Sequence, residues 1–261
     1  GQRIVKALFN DLDFKSRYDL GAVNSINWAR VLTQTVYYFY AWGRLSGGDP
    51  QHSLGFSVPT GNFGDVYAGH LARRMGLPVA RLLIATNRND ILTRFVHTGV
   101  YAAGPVYQTL SPAMDIQIAS NFERYLHDLY HGDPAPVRLL LSSLQESGRL
   151  AVDAKVLARV QGDFAARAVS DAETLEQIRE TFEASGYILC PHSAVGVRAA
   201  RGEPELVCLA TAHPAKFAEA VRQAIGREAP APASLVGLLE KESRCAELDA
   251  TTEAVADHIR Q

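Results

Sequence analysis

The sequence predicts an α/β fold, helix-rich and built on a parallel sheet. Three features predict it. Two apolar runs, Leu54 to Val58 and Val79 to Thr86, flank a helical pattern from Asp65 to Met75 that Gly76 and Pro78 close. Strand, helix and strand in this order form a βαβ unit, and such a crossover joins parallel strands. A further apolar run, Leu206 to Ala210, predicts a third buried strand, and three- to four-residue apolar spacing dominates much of the remaining chain.

In chain order, the first long element is a helix over Ser25 to Leu45. Ala29, Leu32, Val36, Phe39, Tyr40 and Gly43 fall at three- and four-residue steps, and predict one buried stripe. The turn Ser46 to Pro50, SGGDP, ends it. After the βαβ unit, helices are predicted at Asn89 to His97, Asp115 to Tyr130 and Pro136 to Glu146, with a weaker signal over Val152 to Val160. Ser170 followed by Glu173 is a capping box opening a helix over Asp171 to Ala184, because each side chain can satisfy a free backbone amide. An extended piece, Tyr187 to Cys190, leads to a helix through Ala194 to Ala200. Pro214 stands where the first residue of a helix ending at Ile225 belongs. The linker REAPAPAS then precedes two predicted terminal helices.

The 261 residues are 47% apolar with a formal net charge of -2, so no basic field invites nucleic acid or an anionic membrane. The longest apolar-looking run, Val36 to Trp42, is too short to span a bilayer. Three cysteines, Cys190, Cys208 and Cys245, are scattered without metal-ligand spacing and point to a reducing, cytoplasmic setting. His127 and His131, four apart on a predicted helix, could face one metal, but no third ligand is evident and no metal site is assigned.

The stretch Ser57 to Gly69, SVPTGNFGDVYAG, is where chemistry is expected. A strand feeding a glycine-containing turn and then a helix gathers free amides and the positive end of a helix dipole at one point. Gly61 and Gly64 would let the backbone approach a ligand or take positive φ. The pattern lacks both GxGxxG and GK[ST], which argues against a dinucleotide or a nucleoside triphosphate. Taken alone, it reads equally well as a tight turn with Asp65 favouring the helix dipole. Thr211, expected at the end of the third strand, would face the carboxyl edge of the sheet, where ligands of open α/β sheets bind. Alternatively, Thr211 or His213 caps the following helix. His192 and His213, each following a predicted extended piece, could lie near the site, or could cap helices or satisfy the loop backbone. Near the start of the first long helix, Asn24, Ser25, Asn27 and Arg30 could bind a phosphate, or Ser25 could simply cap.

Six segments in order carry a resemblance: Leu20 to Trp42, Ser57 to Pro78, Ile84 to Phe95, Ser111 to Arg124, Cys190 to Val197 and Ala210 to Phe217. Together they resemble the threonine synthase family, pyridoxal-phosphate (PLP) lyases of the tryptophan-synthase-β-like fold, fold type II. The resemblance implies that Gly61, Asn62, Phe63 and Asp65 hold the cofactor phosphate and that Thr211 meets its pyridine nitrogen. Asp65, beside a dianion, is expected to turn away and bond to backbone amides. The implied reaction, part of threonine biosynthesis, converts O-phospho-L-homoserine and water to L-threonine and phosphate.

No segment resembles the family's GPTLAFKD motif, which carries its cofactor lysine. The five lysines are Lys6, Lys15, Lys155, Lys216 and Lys241, and only Lys216 lies near a candidate residue in sequence. The expectation is a C-terminal portion of a longer enzyme: residues 1–45 from a smaller α/β domain and its connecting helix, and 46–261 the large PLP-binding domain. It further implies inactivity alone and apolar surface at Tyr37 to Trp42 that favours self-association. The alternative is a non-catalytic phosphate- or metabolite-binding module of the same fold.

Overall fold

A computed structural model describes residues 2–21, 27–203, 205–243 and 245–261. The chain divides into two compact units, one of Gly1–Asn24 with Ala231–Gln261 and the other of Ser25–Pro230.

In the smaller unit, helices α1 (Gln2–Asn10), α2 (Leu12–Arg17) and α12 (Thr252–Arg260) enclose a small core of Leu8, Phe14 and Ala256. Asp11 caps α2 through the Phe14 amide at 2.9 Å. Only one of the two terminal helices expected after the linker is an α-helix. Among the described residues, short 3₁₀ turns at Ala233–Leu235 and Leu238–Glu240 stand between the linker and α12.

The larger unit opens with helix α3 (Trp28–Ser46), capped by Asn27, whose Oδ1 accepts from the Ala29 amide at 2.9 Å. Asn24 and Ser25 lie outside the described residues. The stripe expected to be buried is the wrong one. Val31, Thr35 and Tyr38 are buried, whereas Leu32, Val36, Phe39 and Tyr40 are exposed, Val36 at 59% and Tyr40 at 68%. Helix α3 is apolar on more than one face, so spacing alone cannot tell which face meets the sheet.

Strand β1 (Leu54–Pro59), helix α4 (Gly64–Arg74) and strand β2 (Val79–Thr86) form the expected parallel βαβ unit. Downstream come α5 (Ile91–Thr98), β3 (Val100–Ala102), α6 (Phe122–Leu129), α7 (Pro134–Ser147), β4 (Arg149–Ala151), α8 (Ala154–Asp163), β5 (Phe164–Ala168), α9 (Asp171–Ser185), α10 (Pro191–Ala199), β6 (Leu206–Cys208) and α11 (Ala218–Ile225). The helix expected from Asp115 begins only at Phe122, because residues before it form an irregular segment with a 3₁₀ turn at Pro112–Met114. Pro214 does open a turn, but Pro214–Phe217 is 3₁₀ and α11 follows it.

The main sheet has the order β5-β2-β1-β6, every pairing parallel. Strand β6 stands at its edge and is only partly buried, unlike the fully buried run expected. Beside this sheet, β3 and β4 pair antiparallel, so the expectation of a single parallel sheet is incomplete. The capping box at Ser170 and Glu173 is formed. Phe56, Val58, Phe63, Leu82, Ile84, Phe95 and Leu126 occupy one core between the sheet and its covering helices. This packing brings the ends of β1, β2 and β6 to a common edge.

Candidate functional site

At that edge β1 stops at Pro59 and the chain turns through Thr60, Gly61, Asn62 and Phe63 into α4. The Thr60 amide donates to the Ala85 carbonyl at 2.8 Å, which is the last tie to the sheet. Beyond it, the amides of Gly61, Asn62, Phe63, Gly64 and Asp65 have no acceptor among the described residues, and no side chain caps α4. A row of free amides at the start of an 11-residue helix concentrates donor capacity and partial positive charge.

The positive φ falls on Phe63, at 65°, and not on the neighbouring glycines. A left-handed residue placed before a helix turns successive amides toward one point, the geometry of an anion nest. Phe63 tolerates it because its ring is anchored: it is 1% exposed and packs on Phe122 at 5.6 Å, Phe164 at 5.6 Å and Tyr125 at 5.8 Å. Gly61 is needed for a different reason from the one expected. A Cβ there would lie 2.6 Å from the Ala113 carbonyl oxygen and 3.2 Å from Met114 Cα, so its bareness admits the neighbouring turn.

Asn62 turns its carbonyl to Asn121, accepting from the Asn121 amide at 3.1 Å and from its Nδ2 at 3.0 Å. Its Oδ1 is buried without a partner. Asp65 does turn to a protein partner, but that partner is Tyr38, not the backbone amides expected. The Tyr38 hydroxyl lies 2.8 Å from the Asp65 carbonyl oxygen and 3.2 Å from its Oδ1. Burial pushes the Asp65 carboxyl up to about 6, with the tyrosine hydrogen bond pulling the other way.

Thr211 follows β6 on an exposed loop, and its amide donates to Ser193 Oγ at 3.2 Å. Ser193 belongs to α10, whose cap is Cys190. Next to it, His192 is buried and accepts from the Ala113 amide through Nε2 at 3.2 Å. Burial pushes His192 down to about 4; Asp115 opposes that shift and Lys216 adds to it. His213 caps the following turn through the Ala215 amide at 3.2 Å.

Residues quoted in the sequence without a role prove to hold the irregular segment in place. Asp115 accepts from the Thr109 amide at 2.9 Å, Thr109 Oγ1 at 2.7 Å, Asn87 Nδ2 at 2.8 Å and Asn89 Nδ2 at 3.0 Å. Asn121 acts on the loop itself and His192 on the turn beside it. The signal of Asn121 in the sequence is only polarity at a buried position, visible once the fold is known, whereas His192 is among the expected candidates and satisfies a loop amide.

His131 lies beyond the end of α6 rather than one turn along it from His127, and its Nε2 is 3.1 Å from the Arg159 guanidinium. Among the described residues no three His, Cys, Asp or Glu side chains are set to hold one. Nor is any described helix long and apolar enough to cross a membrane.

The chain is similar to known proteins throughout its length. The family model "Threonine synthase, C-terminal" matches residues 193–259. Threonine synthase of Pseudomonas aeruginosa is 50% identical over 250 residues, covering 94% of this chain and 53% of that protein. The Saccharomyces cerevisiae threonine synthase is 44% identical over 246 residues, 86% of this chain and 48% of that one. Among solved structures, PLP-bound threonine synthase from Brucella melitensis superposes with a TM-score of 0.91 at 46% identity, over 99% of this chain and 56% of that chain. The Escherichia coli threonine synthase gives 0.79 at 33% identity, over 99% and 55%. The chain spans about half the length of the curated relatives it matches.

Proposed function

Because the chain belongs to the threonine synthase family over about half the length of its members, we propose that it supplies the PLP-binding part of a lyase converting O-phospho-L-homoserine and water to L-threonine and phosphate. The observation that carries this reading is the row of free amides from Gly61 to Asp65 at the start of α4. Backbone donors suit a phosphate dianion, since they bring partial positive charge with no side chain to order. Gly61, Asn62, Phe63 and Asp65 would hold the phosphate by their amides, and Thr211 would offer a neutral hydroxyl to the pyridine nitrogen. When bound, the cofactor supplies an electron sink for proton removal from the substrate.

The chain's own part is to bind and orient. Tyr38 draws the Asp65 carboxyl to itself, so that the acid does not oppose an incoming anion. All five lysines are exposed, and Lys216 sits in the 3₁₀ turn before α11, so none is assigned as covalent anchor. On this reading the chain alone binds PLP reversibly and turns nothing over, and it works in the cytoplasm joined to the half of the fold that carries the lysine motif.

Titration of the chain with PLP, followed by absorbance, tests this. The expected result is saturable binding that inorganic phosphate competes away and that borohydride does not make permanent. Phosphate release from O-phospho-L-homoserine should appear only on adding a polypeptide that carries the lysine motif. No saturable binding would overturn the reading, and binding without release in that mixture would favour a non-catalytic module.

A further inference from the structure

Resting on the phosphate-loop reading, we propose that His192 is a positioning residue, which holds the turn at Pro112–Met114 against Gly61 through the lone pair of its Nε2. Three contacts in succession carry the inference. The carbonyl of Ala113 and the Cα of Met114 stand so close to Gly61 that even a methyl group would collide. The amide of the same Ala113 donates to His192 Nε2 at 3.2 Å. His192 is itself 5% exposed, near the start of α10, with the Phe217 ring 4.8 Å away.

An acceptor at Nε2 fixes the chemistry of the ring. Its lone pair must be free, so the proton of the neutral imidazole sits on Nδ1. That Nδ1 is buried and has no partner. The ring is therefore held by packing and by the Ala113 amide, not by a second hydrogen bond that would fix its tautomer for some other purpose. The charged groups that influence it are Asp115, from the irregular segment, and Lys216, from the turn before α11.

Two independent anchors keep the rest of this region in place without His192. Asp115 ties the segment to Asn87, Asn89 and Thr109. Asn121 grips the far side of the loop through the Asn62 carbonyl. Removing the His192 acceptor should thus leave the segment folded but release the turn from Gly61, and the loop amides with it. The loss should fall on the part of a ligand that those amides meet, its phosphate.

The test compares PLP with pyridoxal, which has the same ring without the phosphate, by equilibrium titration of the chain. The unsubstituted chain should prefer PLP. His192→Leu, which fills the space but offers no acceptor, should weaken PLP binding at least about tenfold and leave pyridoxal within about threefold. His192→Gln, whose Oε1 reaches a similar point, should restore most of the preference. If the unsubstituted chain binds PLP no better than pyridoxal, the phosphate-loop reading fails and the proposal fails with it. If it prefers PLP and His192→Leu keeps that preference, the loop reading stands and the role of His192 is overturned. Because a leucine variant could misfold, long-range ¹H–¹⁵N spectra of the histidine-labelled unsubstituted chain give a second arm. They should show His192 with a protonated Nδ1 and a bare Nε2, and the opposite tautomer would overturn the proposal.

Discussion

At Asp65 two demands meet in one side chain. It sits in the first turn of α4, where a negative charge is favoured, yet it is largely removed from water and pushed up to about 6. A carboxyl raised on folding holds its proton longer in the native state than in the unfolded chain. Its contribution is therefore fully present below the ordinary value of 3.8 and is lost as pH rises through about 6. Asp65→Asn keeps an acceptor for Tyr38 and removes the charge. Denaturant unfolding should show no gain over the parent at pH 4 and a gain of about 1–2 kcal/mol at pH 8, the helix dipole offsetting part of the burial cost. An equal difference at both pH values would show that the buried charge is not the cause. At this scale the sequence was readable in part. The motif named the loop residues, but not how they divide the work. The left-handed turn belongs to Phe63 and the close packing to Gly61, because those depend on a ring seated in the core and on a turn some 50 residues away. Asn121 carries no local mark of its contact with a position 59 residues distant, and His192, legible as a partner of loop backbone, does not reveal that its partner lies 79 residues away.

Among the elements, those with their own start and stop chemistry were the most legible. The capping box at Ser170 is formed as read, with Ser170 accepting from the Glu173 amide at 3.3 Å and Glu173 accepting from the Ser170 amide at 2.9 Å. Ser170→Ala should cost about 1 kcal/mol, seen as a lower midpoint in denaturant with an unchanged slope. A change within error would mean that α9 is held by its packing alone. Strand β5 escaped notice because FAARA has the composition of a helix, and only pairing with β2 along Leu82 to Thr86 makes it a strand. Strands β3 and β4, three residues each, are too short to show a period. The spacing predicts helix α3 but not which of its sides is buried. Several of its aliphatic and aromatic positions satisfy a helical spacing, and the buried face is the one that puts Tyr38 against Phe56 at 4.8 Å.

For the molecule as a whole, the reverse side of α3 is the feature the fold leaves open. Leu32, Val36, Tyr37, Phe39 and Tyr40 are exposed on a helix already packed on its other side, an apolar surface that soluble chains seldom leave uncovered. The chain should bind a hydrophobic dye and associate as its concentration rises. The double variant Val36→Lys, Tyr40→Glu should abolish both in dye fluorescence and light scattering while circular dichroism stays the same. A monodisperse parent chain with no dye signal would sink this expectation. The α/β class and the parallel sheet could be read in advance because βαβ spacing is a local pattern, whereas which faces stay bare depends on everything packed around them. The seating of Phe63 has a consequence that reaches from the interior to chemistry. Because one ring plugs the hydrophobic centre while its own backbone aims the free amides that open α4, any drift in how Phe122, Tyr125 and Phe164 nest together would re-aim those amides. On the proposed reading, grip on a vitamin-derived phosphate and the tightness of the protein's interior would be inherited together, through a single side chain.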